Sequence, residues 1–178
     1  DVGLFVTVRT PERETLFRWV GPIISTSTTL YARSGEALPV TTLEEARQLG
    51  RIAVPRDWFS HQVLVRLGFN NLELVPKPHE MVRMTLRGRV PLMVYEGQLL
   101  PGLLQEVGAA PDALQPVHTF MRTSSYIAFS LGTDPMRVQR WQAELDAMKR
   151  DGSFARIHLR WFPNEPPAGL QADRDLLP

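Results

Sequence analysis

Few residues of this 178-residue chain have the type and spacing needed for catalysis. Cysteine is absent, which excludes thiol nucleophiles, disulfides and cysteine-bound metal. The four histidines lie far apart, at His61, His79, His118 and His158, without the spacing of metal ligands. The chain contains neither a G-x-S-x-G elbow nor a glycine-rich phosphate loop. We therefore expect no catalytic residue, no metal and no cofactor.

The residues that remain as candidates are charged groups suited to recognising another charge. Arg9 and Arg13 lie in "RTPERE", and a guanidinium carries paired donors that fit a carboxylate. Glu96 follows the apolar run "LMVY", and an acid at the end of such a strand favours a role in binding. Each has an ordinary alternative. Arg13 pairs at the surface with a neighbouring glutamate, or Glu96 simply faces solvent at the end of a strand.

The composition describes an ordinary globular protein with one substantial core or two small ones, since 43% of the residues are hydrophobic and 22% are charged. Lys and Arg together number 20 and Asp and Glu 19, so the chain has no basic excess and nucleic acid is not an expected partner. No apolar run approaches the length of a membrane span.

Several elements are predicted in the first part of the chain. The apolar run Val2 to Val8 predicts a strand buried on both faces. The segment "RTPERETLFRWVGP", which follows it, resembles a loop, and Ser27 to Arg33 predicts a second strand. Thr42 with Glu45 three residues later predicts a capping box at the start of a helix.

Helical and strand patterns alternate from Thr41 to Val117, which predicts a parallel sheet with helices on both faces. Further on, "LQPVHTF" and "SSYIAFS" predict two strands, followed by two helices separated at Gly152. Asp134 is the expected N-cap of the first of these helices. Its apolar positions recur at helical spacing and predict a core-facing stripe: Val138, Trp141, Leu145 and Met148.

Particular motifs, in order, resemble one protein family. They are "RTPERE", "FRWVGPI", "GRVPLMVYE" and "MKRDGSFARIHLRWF". Their order and spacing resemble those of the periplasmic solute-binding proteins of amino-acid-type ABC transporters, solute-binding family 3 with the type 2 periplasmic-binding fold. The resemblance covers about Asp1 to Phe162, and no single motif carries it alone.

This resemblance implies an α/β fold of two lobes, each a mainly parallel sheet flanked by helices. We expect lobe 1 to comprise residues 1–33 and 121–162, and lobe 2 residues 34–120, with a polar, proline-rich tail at 163–178. Family members carry a further β-α-β-α stretch before the "T-P-E-R" strand. We therefore expect an incomplete first lobe, by truncation or loss, with self-association through its exposed apolar edges.

The resemblance also implies roles for individual residues. Arg13 matches the family arginine that forks onto the α-carboxylate of the ligand, with Arg9 and the Thr10 hydroxyl as added candidates. Glu96 matches the family acid, usually Asp, that receives the ligand ammonium. Trp19 is a candidate for an apolar wall of the ligand cleft, with a plain core position as the alternative.

One loop departs from the family pattern. Many members have "G-T-T" or "G-S" where this chain has "RDWFS", so Asp57 brings negative charge to a place where an anion is expected. Asp57 is also a natural N-cap for the helix that follows. Trp58 either lines the cleft or packs beneath it.

The function implied is that of a periplasmic protein that captures a small polar solute, an amino acid or a relative, between two lobes and delivers it to a membrane ABC permease. Such a protein is not an enzyme. Two alternatives remain: the extracytoplasmic ligand-sensing domain of a signalling receptor, and an enzyme related to cyclohexadienyl dehydratase that uses Glu96.

Overall fold

A computed structural model of the chain describes residues 3–163 and 167–168. Most of the tail predicted at 163–178 lies outside these residues. The described α-helices and strands, in chain order, are β1 (Gly3–Val8), β2 (Arg18–Arg33), α1 (Leu43–Gln48), β3 (Ile52–Pro55), α2 (Phe59–Arg66), β4 (Leu72–Val75), α3 (Pro78–Leu86), β5 (Leu92–Glu96), α4 (Leu100–Glu106), β6 (Leu114–Phe129), α5 (Pro135–Arg150) and α6 (Ser153–Trp161). A 3-10 helix, Pro11–Leu16, links β1 to β2.

The chain forms two compact units. Within the described residues, unit 1 comprises 3–26, 122–163 and 167–168, and unit 2 comprises 27–121. The strands follow the order β1-β6-β2-β5-β3-β4, and the long strands β2 and β6 contribute to both units. The α/β fold predicted from the sequence is confirmed.

Unit 2 is a three-layer arrangement of helices on both faces of its strands. Alternate residues of each strand enter two different apolar clusters, because successive side chains of a strand point to opposite faces. Leu92 and Val94 of β5 pack with residues of α1 and α2, whereas Met93 and Tyr95 pack with residues of α3 and α4. Strand β3 runs parallel to both β4 and β5, as the alternation predicted.

Unit 1 corrects the prediction that each lobe is mainly parallel. Strand β1 pairs antiparallel with β6. Side-chain hydrogen bonds join Ser25 to Ser124 and Thr26 to Thr123, so β2 and β6 also run in opposite directions. Strand β6 lies between β1 and β2 and runs opposite to both, so every neighbouring pair of strands described in unit 1 is antiparallel. The physical reason is that β1 and β2 pair with a strand from much later in the chain, a choice that hydrophobic periodicity does not specify.

Three local predictions about β1, β2 and β6 were wrong. Strand β1 is at the edge of the sheet, so Leu4 is 50% exposed rather than buried. The segment around Trp19 is the beginning of β2 and not a loop. The two strands predicted near residues 114 to 130 are one continuous strand, β6.

Helix ends were predicted more accurately. Thr42 and Glu45 form the reciprocal capping box at the start of α1, Asp134 caps α5 by accepting a hydrogen bond from the Met136 N–H, and Gly152 separates α5 from α6 with a φ of 79°. The apolar stripe of α5 is only partly correct. Val138 and Leu145 pack on the unit 1 core, but no α5 residue is fully buried. None of the described helices is long and apolar enough to cross a membrane.

Candidate functional site

The carboxyl ends of two parallel strands meet at one edge of unit 2. Ile52 of β3 lies opposite Leu92 of β5, so Pro55 and Glu96, which end these strands, come to the same edge. Helix α2 begins shortly after β3, and α4 shortly after β5. Open α/β sheets place ligands at such an edge, which makes it the candidate site of this unit.

Backbone and side-chain hydrogen bonds hold Glu96 in place. Glu96 pairs with Thr28 of β2, whose side chain is buried. The N–H of Gly97 donates to the Ser27 carbonyl at 2.9 Å, and the Ser27 N–H donates to Oε1 of Gln98 at 3.4 Å. The carboxylate therefore projects from a strand end that is hydrogen-bonded to β2.

The Glu96 side chain is partly buried, and one of its two carboxyl oxygens has no hydrogen-bond partner among the described residues. Its Oε2 atom is inaccessible to solvent and accepts no hydrogen bond from any described residue. Burial raises the pKa of this carboxyl above its ordinary value, because the charged form loses hydration. Burial, followed by the nearby Glu96 charge, raises the pKa of Tyr95 to about 12. A cation bound beside Glu96 would offset the cost of burying its charged form.

Trp58 packs beneath the strand end. Its ring lies 5.7 Å from that of Tyr95, centroid to centroid, and it joins the apolar cluster shared by α3 and α4. Tyr95 is on the opposite face of β5 from Glu96, as strand alternation requires. Trp58 thus supports the strand that carries the carboxylate.

The start of α2 does not have the capping expected from the sequence. The N-cap is Trp58, which provides no side-chain cap, so the prediction of Asp57 as N-cap was wrong. Asp57 precedes it with a left-handed φ of 64°, and its N–H donates to Nδ1 of His61 at 3.2 Å. In the first turn, the Ser60 Oγ is buried and has no partner among the described residues. The sequence did not single out Ser60, because a lone serine carries no motif.

In unit 1, Arg9 is held by several partners. Its Nε and Nη2 donate to the two carboxylate oxygens of Glu14 at 2.6 and 2.5 Å, a bidentate pair. This hydrogen bonding raises the pKa of Arg9 and lowers that of Glu14. The guanidinium also lies 5.8 Å from the Trp19 ring and 5.3 Å from the Tyr126 ring.

The remaining candidates of unit 1 are Trp19, Thr10 and Arg13. Trp19 is half-buried, stacks edge-on against Tyr126 and donates from Nε1 to the Glu14 carbonyl at 3.1 Å. Thr10 is buried. Arg13 is half-buried, donates from Nη1 to the Val8 carbonyl at 3.3 Å and forms no ion pair within the described part of the chain.

Two partners in this arrangement were missed at the sequence level. Glu14 was considered only as a neighbour of Arg13, whereas it pairs with Arg9. Tyr126 lies more than a hundred positions from Arg9, so no local pattern links them. Across residues 3–163 and 167–168, no group of three or more His, Cys, Asp or Glu side chains is placed to hold a metal ion.

Comparisons with known proteins identify the fold. No family model matches the chain, and no curated protein matches it. Solved structures do: a histidine kinase sensor domain with similarity to periplasmic binding proteins has a TM-score of 0.76 and 21% identity, covering 93% of this chain and 71% of that one.

Two further solved structures belong to binding proteins. The putative binding component of an ABC transporter from Wolinella succinogenes, complexed with lysine, has a TM-score of 0.72 and 20% identity, covering 88% of this chain and 67% of that one. A mutant of ArgBP from T. maritima has a TM-score of 0.70 and 16% identity, covering 89% and 67%. The chain is therefore similar in structure to amino-acid-binding proteins and has the α/β fold of periplasmic-binding-protein-like structures.

Proposed function

We propose that this protein binds a small polar solute of the amino-acid class and does not transform it. Glu96 receives the ammonium group of the solute. The supporting observation is the buried Oε2 of Glu96, which has no hydrogen-bond partner among the described residues. A buried carboxylate without a partner destabilises the ligand-free protein, and an ammonium ion offsets that cost.

Arg13 is proposed to receive the carboxylate of the solute. Of the two arginines in "RTPERE", Arg9 is already engaged in a bidentate pair with Glu14, whereas the Arg13 guanidinium has one described bond, to the Val8 carbonyl. The start of α2 is less suited to an anion, because Asp57 brings a negative charge there. Thr10, Trp19, Trp58 and Asp57 stay proposed as supporting residues.

The setting proposed is the periplasm, with delivery of the solute to a membrane ABC permease. The lysine-bound neighbour from an ABC transporter supports this role. The histidine kinase sensor domain among the similar structures supports a second role, ligand sensing in a signalling receptor. A permease gene beside the gene for this chain favours transport, whereas a kinase domain in the same polypeptide favours sensing.

A thermal-shift screen of amino acids and polyamines tests the binding proposal, followed by calorimetric titration of each hit. We expect at least one α-amino acid to raise the melting temperature. Glu96→Gln removes the charge that pairs with the ammonium and is expected to lower affinity by about 100-fold or more. Glu80→Gln, an exposed acid on α3, is the matched control and leaves affinity unchanged.

Three results would contradict the proposal. One is a hit whose affinity is unaffected by both Glu96→Gln and Arg13→Ala, because the site would then lie elsewhere. Another is the absence of any response across the screen, which would exclude this ligand class. The third is chemical turnover of a bound solute, detected by mass spectrometry, which would make the protein an enzyme.

A further inference from the structure

Three side chains with oxygen atoms lie on one face of the unit 2 sheet, near the end of β5: those of Glu96, Ser60 and Thr28. Glu96 shares a face with Val94, because side chains two positions apart on a strand point the same way. Val94 packs in the apolar cluster that includes residues of α1 and α2. The Glu96 carboxyl group therefore projects on the α2 side of the sheet.

Ser60 approaches this edge from helix α2. The buried residues of α2 are Ser60, Val63 and Leu64, which share one face of the helix because positions three and four apart are neighbours. Val63 and Leu64 pack in the same apolar cluster as Val94. Ser60 lies one turn before them, in the part of α2 that follows the carboxyl end of β3. Its side chain therefore faces the same layer as Glu96.

Thr28 approaches Glu96 from the neighbouring strand β2. It lies directly opposite Glu96 in the antiparallel pair of β2 and β5, and side chains in such a position share a face, with Cβ atoms about 4.5–5.5 Å apart. Leu30, two positions further along β2, packs in the cluster that holds Val94, which agrees with this assignment of the face. Thr28 is only 1% exposed. Its hydroxyl is thus a buried neighbour of the carboxyl group.

The fold leaves polar atoms of two of these side chains unsatisfied. The Ser60 Oγ and the Glu96 Oε2 are both shielded from solvent, and neither has a hydrogen-bond partner among the described residues. A hydroxyl oxygen and a carboxylate oxygen can each accept a hydrogen bond. Burying such atoms without a donor costs free energy, which a bound donor recovers. Two unsatisfied acceptors on one face indicate a ligand group with more than one N–H donor.

We propose that Glu96, Ser60 and Thr28 form a subsite for a primary ammonium group, and that the two hydroxyls make the site select primary amines over N-methylated ones. This inference rests on the proposed function, in which Glu96 receives the ammonium. A primary ammonium carries three N–H donors, one for each side chain. An N-methyl group replaces one donor and leaves a hydroxyl unpaired, a mismatch that polar sites reject strongly.

The aromatic side chains near this edge do not provide the alternative, a site for a quaternary ammonium. Such cations are recognised by aromatic rings that surround their methyl groups. The Trp58 ring instead packs against the Tyr95 ring, at 5.7 Å between centroids. Both rings belong to the apolar cluster on the α3 and α4 side of the sheet, opposite to Glu96. The oxygen atoms on the Glu96 side therefore favour a ligand with N–H donors.

Calorimetric titration of paired probes tests the subsite. The probes are glycine, L-alanine and L-glutamine, whose only ammonium is the α-group, each beside its Nα-methyl derivative; any other amino acid that responds in the thermal-shift screen joins the series with its own derivative. We expect the wild type to bind the primary amine at least about 10-fold more tightly than the derivative.

Two variants should weaken this preference. Ser60→Ala removes one acceptor, so the preference should fall below about 3-fold, because the methyl group then displaces no hydrogen bond. Thr28→Val should act in the same direction. Ser60→Thr keeps a hydroxyl and should retain the preference of the wild type. A loss of stability alone would not change the ratio of the two affinities.

The matched control is Ser153→Ala, which removes a serine from the first turn of α6 in unit 1 and should leave the preference unchanged. Ser60→Ala should fold normally, since it removes a hydroxyl that has no partner among the described residues. Circular dichroism verifies that each variant is folded.

Several outcomes would overturn the inference. Binding that is lost in Glu96→Gln but shows the same preference in the wild type, Ser60→Ala and Thr28→Val would overturn the subsite and leave the proposed function intact. A wild type that binds both members of each pair equally, or prefers the Nα-methyl derivative, would do the same. The absence of binding by any amino acid would overturn the subsite together with the proposed function.

Discussion

Glu96 in unit 2 and Arg9 in unit 1 are both charged, partly buried candidates, but their surroundings differ. Arg9 has a bidentate carboxylate and two aromatic rings around its guanidinium. Glu96 has an inaccessible oxygen with no described partner, and a raised pKa. A charge whose interactions are complete stabilises the fold, whereas a buried charge without a partner costs stability and gains from a ligand.

The comparison also separates two neighbouring arginines within unit 1. Both lie in one short motif, so the sequence alone treats them as near equivalents. The structure assigns the Glu14 pair to Arg9 and a single carbonyl contact to Arg13. We therefore expect Arg9 to affect mainly stability and Arg13 mainly ligand affinity.

The two roles assigned to Arg9 and Arg13 are tested first by the largest expected effect, the loss of ligand affinity in Arg13→Ala. Hydrogen bonds to a charged group contribute about 1.5–3 kcal/mol, so affinity for an amino-acid hit should fall about 10- to 100-fold, measured by calorimetric titration. The melting temperature should change little. Arg156→Ala, an exposed arginine of α6, serves as the control. Unchanged affinity in Arg13→Ala would remove Arg13 from the site.

The next effect is a gain of stability in Glu96→Gln without ligand. Burial raises the pKa of Glu96, so the folded protein holds this proton more tightly than the unfolded chain does. The wild type therefore loses stability as pH rises from the ordinary carboxyl pKa, about 4.3, through the raised folded value. We expect Glu96→Gln to be about 1–2 kcal/mol more stable at pH 7.

The control for this prediction is a measurement at low pH, where the gain in stability of Glu96→Gln should disappear. Below about pH 3 the wild-type carboxyl is protonated in both the folded and the unfolded states, so the difference between the two proteins should vanish. Urea unfolding at a series of pH values measures it. If Glu96→Gln is less stable than the wild type at pH 7, Glu96 has stabilising partners. It would then not differ from Arg9 in this respect.

A smaller effect is expected for Arg9→Ala, which removes the ion pair and the two ring contacts of unit 1. The loss of stability should be about 1 kcal/mol, since the guanidinium is partly exposed and its contacts are correspondingly screened. Ligand affinity should change less than in Arg13→Ala. If Arg9→Ala lowers ligand affinity more than Arg13→Ala does, Arg9 and not Arg13 binds the ligand.

The smallest effect is expected for Glu14→Gln, which removes only the charge of the exposed partner. The melting temperature should fall by less than about 2 °C and by less than in Arg9→Ala. The fall should also shrink at high salt, because the pair is exposed to solvent. A larger fall that does not depend on salt would indicate that Glu14 supports the unit through packing or neutral hydrogen bonds.

Local signals in the sequence were sufficient for much of the fold. The capping box of Thr42 and Glu45, the cap at Asp134 and the break at Gly152 involve residues within a few positions of one another, so their geometry is set by local hydrogen bonds and backbone preferences. The alternation of helices and strands likewise indicated the parallel strands of unit 2.

Features set by distant residues were predicted poorly. The antiparallel strands of unit 1, the exposed edge at β1 and the exposed side of α5 depend on which strand or helix becomes a neighbour, and hydrophobic periodicity does not specify that choice. The same holds for Trp58, whose support of Tyr95 depends on how the loop after β3 packs.

By itself, the sequence determined the types of element, their caps and the candidate charged residues, because these depend on neighbouring positions and on side-chain chemistry. Only the tertiary structure decided which of those charges has a partner. The partner of Glu96 would have to come from distant strands and loops, and the described residues provide none to its buried oxygen. For Arg9, the fold brings Tyr126 to its guanidinium from more than a hundred positions away in the sequence.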